Sequence, residues 1–243
     1  MRVLVIGGSG RCGKLVIDDL LSRGHQVTTL ARKPESLGGA RAGLKVVQVP
    51  LVIEEFSKES TPKLTKNPSG TPTSLEDVRA AFQADIPDVV MVTLNAPRAS
   101  DSPFAAPISP PRLMTDCNAN VLAAMKEFGV RKTVILQAFG VGESWDNMHC
   151  VLRLLMKKSN MSYQYDDHNA TAKAVQASGL DYVMVRPSRL VETPDANQPV
   201  KVWPDHGKGV PMMASTSRIT VAKWLVDAAE SNKWDNTAPV ITN

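Results

Sequence analysis

Seven residues near the N-terminus, Gly7-Gly8-Ser9-Gly10-Arg11-Cys12-Gly13, constrain this chain more than any other stretch. They follow the apolar run Val3 to Ile6 and open a segment from Arg11 to Ser22 in which Leu15, Ile17, Leu20 and Leu21 are apolar, with Gly24 just beyond. The order is strand, glycine turn, helix. Glycines at such a turn let the chain reverse sharply, let backbone approach a pyrophosphate, and let helix pack against strand. The helix N-terminus then presents free N–H groups and a favourable dipole to the anion. The expectation is a dinucleotide-binding βα turn.

The pattern that follows agrees with this start. Short apolar runs alternate with amphipathic segments from end to end, as in a parallel sheet covered by helices on both faces. Strands are expected at Val3 to Ile6, Gln26 to Ala31, Leu44 to Val49, Asp88 to Leu94, Lys132 to Gln137, Asp181 to Arg186 and Pro239 to Thr242. Helices are expected at Arg11 to Ser22, at Ser74 to Ala84 with Ser74 as N-cap, at Pro111 to Phe128 and at Val221 to Ser231, with a broken helical region running to Ser178. Residues 54 to 73 are polar and rich in Lys, Ser, Thr and Pro, which suits a surface insertion. Residues 96 to 111 hold five prolines in sixteen positions, which excludes regular helix and suggests a loop of fixed shape. No repeat, heptad or composition shift divides the chain. The fold class expected is α/β, a doubly wound, mostly parallel sheet in one domain spanning residues 1–243, with a substrate-side segment at about 187–220.

Cofactor choice turns on the end of the second strand. A dinucleotide fold that selects an unphosphorylated ribose places Asp or Glu about twenty residues past the glycines, to accept from the 2′-hydroxyl. This chain has Ala31-Arg32-Lys33. Arg32 can meet a 2′-phosphate with paired donors, Lys33 adds a point charge, and Arg11 is a third cation beside the same phosphates. NADP(H) is therefore expected over NAD(H).

Composition narrows the remaining classes. The formal charge is +4, from 28 Lys plus Arg against 24 Asp plus Glu, and the basic residues are scattered, so a nucleic-acid partner is not expected. Cys12, Cys117 and Cys150 are odd in number and lack metal-ligand spacing, which argues against a disulfide framework or a metal site and for a reducing compartment. No apolar stretch reaches the roughly 18 residues of a membrane span, and the N-terminus lacks a signal-peptide core. A soluble, cytoplasmic protein is expected.

Beyond the glycine turn and the ARKP segment, two stretches narrow the reading further: Lys132 to Gly142 (KTVILQAFGVG), and Tyr165-Asp166-Asp167-His168 followed by Ser178 to Pro187 (SGLDYVMVRP). With these the chain resembles an atypical short-chain dehydrogenase/reductase of the NmrA-like and biliverdin-IXβ/flavin-reductase-like group, over nearly its whole length. The resemblance implies that Gly7, Ser9, Gly10, Arg11, Cys12 and Gly13 line the pyrophosphate and that Arg32 meets the 2′-phosphate. It implies that Leu94, Asn95 and Ala96 pass beside the adenosine and ribose, that Gln137 and Ala138 flank the nicotinamide, and that Arg186, Pro187 and Ser188 close over the carboxamide side.

Typical members of that superfamily use a Tyr four residues before a Lys, which lowers the tyrosine pKa into a useful range. Here Tyr163 is followed at the fourth place by Asp167 and Tyr165 by Asn169, and the strand end that carries a hydroxyl in related reductases carries Gln137. One reading is NADPH-dependent hydride transfer to a small conjugated or aromatic carbonyl or quinone-like compound, with the proton taken from water. A second is an NADP(H) sensor of NmrA type that signals to a protein partner. A third is a redox-neutral isomerase or cyclase.

The candidates for a chemical role are His168, whose unperturbed pKa is near 6.5, Tyr165 and Gln137. Asp166 and Asp167 are expected to cap the helix that follows them. Trp145, Met148 and His149 form a candidate roof, and Trp203, Met212 and Met213 could suit an apolar, planar ligand. Cys12 is expected to pack rather than react.

Overall fold

The computed structural model describes residues 1–31, 34–48, 72–193 and 197–243. Arg32, Lys33 and almost all of the expected insertion lie outside the described residues.

β1 (Arg2–Ile6) shows why both faces of the sheet must be covered. Val3 and Val5 point into one apolar cluster and Leu4 and Ile6 into another, all four essentially inaccessible to water. Each such side chain contributes about 1.5–3 kcal/mol relative to an exposed one. Beside β1 lie β2 (Gln26–Leu30) and β3 (Leu44–Val47) on one side and, on the other, β4 (Val89–Val92), β5 (Lys132–Leu136), β6 (Asp181–Pro187), β10 (Val240–Thr242) and β8 (Lys201–Trp203). The order is β3-β2-β1-β4-β5-β6-β10-β8. All neighbours pair in parallel except β10 and β8, whose antiparallel register sets Val240 against Trp203. The order reverses between β1 and β4, the crevice where open α/β sheets bind ligands.

The helices α1 (Arg11–Ser22) and α6 (Arg218–Glu230) cover one face; α2 (Leu75–Ala84), α3 (Leu113–Glu127) and α5 (Met161–Gln176) cover the other. Local chemistry ends several of them as expected. Gly24 takes φ +78° after α1, so that His25 N donates to the Leu20 carbonyl and Gly24 N to that of Leu21. Ser74 Oγ accepts from Asp77 N at 3.2 Å to start α2. The proline-rich loop has a fixed shape: Ala99 N donates to Ala106 O and Ile108 N to Pro97 O, with an Arg98–Pro107 bridge between them.

Other boundaries differ from expectation. The broken helical region resolves into α4 (Cys150–Lys158) and α5. The last helix starts at Arg218, three residues early, because Ser217 supplies an extended N-cap that the apolar pattern does not mark. The short strands β7 (Arg189–Val191) and β9 (Ser215–Ser217), which pair in parallel as a separate ribbon, carry no apolar run and are missed. Asp166 and Asp167 do not cap the helix that follows them; both lie inside α5, with Asp166 exposed. Asp167 instead caps α3, its two oxygens accepting from Met114 N and Thr115 N at 2.8 Å each. That help is needed because Arg112, the residue before α3, sits at φ 65° and offers no side-chain cap. No helix among the described residues is long and apolar enough to cross a membrane.

Candidate functional site

The glycine turn sits at the reversal point. Gly7 has φ +89°, and a Cβ there would come within 3.0 Å of the Thr93 carbonyl carbon, just past β4. At Gly8 a Cβ would run into Thr29 Oγ1 and the Ile17 side chain, and at Gly13 into the Gly7 carbonyl oxygen and the Gly8 Cα. A side chain at Gly8 or Gly13 would push α1 away from the sheet, and one at Gly7 would crowd the backbone just past β4. Gly10 differs: its Cβ would meet only Gly7 O, at 3.2 Å, so this glycine keeps the outer side of the turn open. Gly10 caps α1 without any side chain, leaving the first-turn N–H groups to face outward. Ser9, Gly10 and Arg11 are exposed, whereas Cys12 and Gly13 are buried. Burial raises the Cys12 thiol pKa, with Arg218 and Arg11 opposing it, which fits a packing role.

The remaining expected residues line the carboxyl ends of three neighbouring strands. Leu94, Asn95 and Ala96 follow β4; Gln137 and Ala138 follow β5; Arg186 and Pro187 end β6, and Ser188 comes next. Gln137 N donates to Val185 O at 2.7 Å, so the β5–β6 ladder carries this residue to the sheet edge. Its side chain is buried, with Nε2 donating to the His168 carbonyl at 3.2 Å and Oε1 without a partner among the described residues. Ser188 is buried, and its hydroxyl is hydrogen-bonded to that of Thr216 at 2.8 Å.

On α5, Gln164 and His168 lie one turn apart, both buried. Gln164 Nε2 donates to Asn95 Oδ1 at 3.0 Å and to the Ala96 carbonyl at 2.6 Å, tying the helix to the end of β4. His168 is held neutral: burial is the main cause, the Arg186 charge adds to it, Asp167 opposes it, and the pKa falls to about 4. Tyr165 lies under the turn after β5 and donates its hydroxyl proton to the Phe139 carbonyl at 2.8 Å. Burial pushes the phenol pKa up. Neither Tyr165 nor His168 is set to give up a proton at neutral pH.

Arg186 is fully buried, and its Nη1 donates to Glu143 Oε2 at 2.9 Å while Nε and Nη2 lack partners among the described residues. Partial burial pushes the Glu143 carboxyl up, but its own backbone N–H and Arg186 outweigh this and bring the pKa to about 2. Of the candidate roof, Met148 is buried, Trp145 packs edge-on against Tyr165 at 5.8 Å between centroids, and His149 is exposed and caps α4. Met212 and Met213 are exposed and Trp203 half-buried.

Sequence reasoning did not single out Gln164, Glu143 or Arg218. The four-residue spacing of Gln164 and His168 carries a signal, since it puts both on one face of a helix; Glu143 and Arg218 carry none.

A parallel sheet whose order reverses at a glycine turn, with polar groups gathered at the strand ends beside it, defines a Rossmann-type nucleotide-binding fold. Residues 54–232, about three quarters of the chain, match the family model described as NAD(P)H-binding, and the chain belongs to that family. The glycine turn and Arg32 precede the matched span.

Solved structures share the fold. A short-chain dehydrogenase/reductase from Veillonella parvula in complex with NADP is 12% identical with a TM-score of 0.74, covering 100% of this chain and 94% of that one. ChuY, an anaerobillin reductase from Escherichia coli O157:H7, is 14% identical with a TM-score of 0.72, over 99% and 96%. The oxidoreductase ylbE from Lactococcus lactis is 16% identical with a TM-score of 0.70, over 100% and 91%. Among curated proteins no sequence matches the chain.

Proposed function

We propose that the protein is an NADP(H)-dependent reductase of the atypical short-chain class, acting on a small conjugated or aromatic carbonyl or quinone-like compound. The observation that carries this reading is the glycine turn, where a Cβ at Gly7, Gly8 or Gly13 would crowd backbone or core, opening onto strand ends that hold a buried acceptor, Gln137 Oε1, without a partner among the described residues. Such a cradle fits a diphosphate, and such an acceptor fits an amide or hydroxyl donor brought to the edge of β5.

A bound nicotinamide would supply the hydride. This chain's residues then bind and orient: the α1 N-terminus and Arg11 toward the diphosphate, Asn95 and Ala96 held by Gln164 along one wall, and Gln137 and Ser188 at the strand ends. His168 is neutral and the Tyr165 proton is committed to a carbonyl, so the balancing proton comes from water. A site without an acid favours acceptors that are already electron-poor by conjugation, and Phe139, Met148 and Trp145 offer an apolar boundary for one. Segment 187–220 would form the substrate side. The missing acid equally favours the second reading, an NADP(H) sensor that binds without turnover and signals to a protein partner.

NADPH consumption followed with a panel of flavins, quinones and enones tests the reading. Turnover with one class supports a reductase, and tight binding without turnover of any supports the sensor. Arg32→Glu should weaken NADPH far more than NADH; equal loss of both would remove the NADP(H) assignment.

A further inference from the structure

Arg218, the first residue of α6, is a cation buried beside the glycine turn. Its side chain is 10% exposed, its Nη1 donates to Glu192 Oε1 at 2.8 Å, and the Glu192 side chain is 70% exposed. Helices α1 and α6 pack against each other on one face of the sheet, with Cys12, Val221 and Ala222 in one core cluster, and the Arg218 charge acts to lower the Cys12 thiol pKa. Arg218 therefore stands at the first turn of α1. Arg11 begins that turn, and its two terminal nitrogens donate to the two oxygens of Asp101 at 3.1 and 3.0 Å; the Asp101 side chain is 79% exposed. Arg98, the next cation along, donates to Ser102 O within its own loop.

The two arginines are alike in an unusual way. Each flanks the N-terminus of α1, and each is held by an exposed carboxylate from a loop bordering the site, Asp101 in the proline-rich loop and Glu192 directly after β7. The Arg11–Asp101 pair is exposed on both sides and holds weakly, while in the Arg218–Glu192 pair the carboxylate alone is exposed. Phosphate oxygens offer an arginine shorter, paired, charge-assisted hydrogen bonds. A carboxylate is then the poorer of two anions competing for one guanidinium.

We propose that Arg218 is a second diphosphate ligand alongside Arg11, and that Asp101 and Glu192 are internal stand-ins for phosphate that a dinucleotide displaces. The proposal rests on the dinucleotide reading above and adds to it a residue far from the glycine motif in sequence. It also makes two loop acids antagonists of cofactor binding, since each occupies an arginine and repels the incoming anion.

Calorimetric titration with NADPH tests this on the wild-type chain and on Arg218→Gln, Arg218→Lys, Glu192→Gln and Asp101→Asn. Arg218→Gln should weaken binding about tenfold or more, with Arg218→Lys between it and wild type. Glu192→Gln and Asp101→Asn should each tighten it, by about two- to fivefold. Arg218 is buried; if Arg218→Gln does not fold, the two exposed acids decide the matter, and unchanged or weaker binding in both overturns the proposal. Wild-type binding that is indifferent to Arg218 and to both acids also overturns it while leaving the dinucleotide site standing. Absence of NADPH binding by the folded wild-type chain removes the dinucleotide reading and this proposal together.

Discussion

His168 offers the sharpest test of how this site is built, because its burial has a consequence that pH can read. Its pKa is about 4 in the folded chain against about 6.5 in an unfolded one. Above pH 6.5 both states are neutral there, and the group's contribution is fully present. As pH falls from 6.5 toward 4 the unfolded chain takes up a proton that the folded chain refuses, so stability drops with slope about 1.4 kcal/mol per pH unit. The whole gap amounts to about 3 kcal/mol, and roughly 2 kcal/mol of it is lost between pH 7 and pH 5. Urea denaturation of wild type and His168→Gln at both pH values isolates this, because carboxylates and the other histidines contribute alike to both proteins. Wild type should lose about 2 kcal/mol more than the variant. An equal pH dependence in the two, or an imidazole signal for His168 titrating near 6.5, would refute the reasoning. The outcome bears on mechanism too: with His168 neutral, turnover should show no break near pH 6.5.

Further outcomes follow from the turn and the caps. Gly13→Ala, whose Cβ would meet the Gly7 carbonyl and Gly8 Cα, should lower thermal stability by about 1–3 kcal/mol, whereas Gly10→Ala should fold well and weaken dinucleotide binding. Asp167→Ala strips the α3 N-terminus of its acceptors for Met114 and Thr115 N–H groups and should cost about 2–4 kcal/mol by urea denaturation. Glu143→Gln leaves the buried Arg186 without its counter-charge. Because the Glu143 side chain is about half exposed, solvent screening limits the loss to about 1–3 kcal/mol. Adding Arg186→Met to that variant should restore part of it, which paired thermal melts would show.

The strands β1, β4, β5 and β6 and the glycine turn were legible because their signals are local: consecutive apolar residues demand burial on both faces, and clustered glycines permit a turn that other residues cannot make. Gly24 and Ser74 announce helix ends for the same reason. β7 and β9 were not legible because three-residue strands such as Ser215–Ser217 have no periodicity to read. Asp167 was misassigned because a carboxylate next in line to a helix looks like its cap, and only packing shows that a different helix, fifty-two residues back in sequence at Thr115, needs it more.

The amino-acid order by itself determined the alternation of strand and helix and the sharp turn after β1. Tertiary structure alone decided that His168 is neutral, that the Tyr165 proton is engaged, that Gln164 steadies the wall beside β4, and that Arg218 at the start of α6 is paired with Glu192. The division has one physical cause. Backbone conformation and apolar period act over a few residues, while desolvation, charge pairing and hydrogen-bond satisfaction depend on which distant segments the fold presses together.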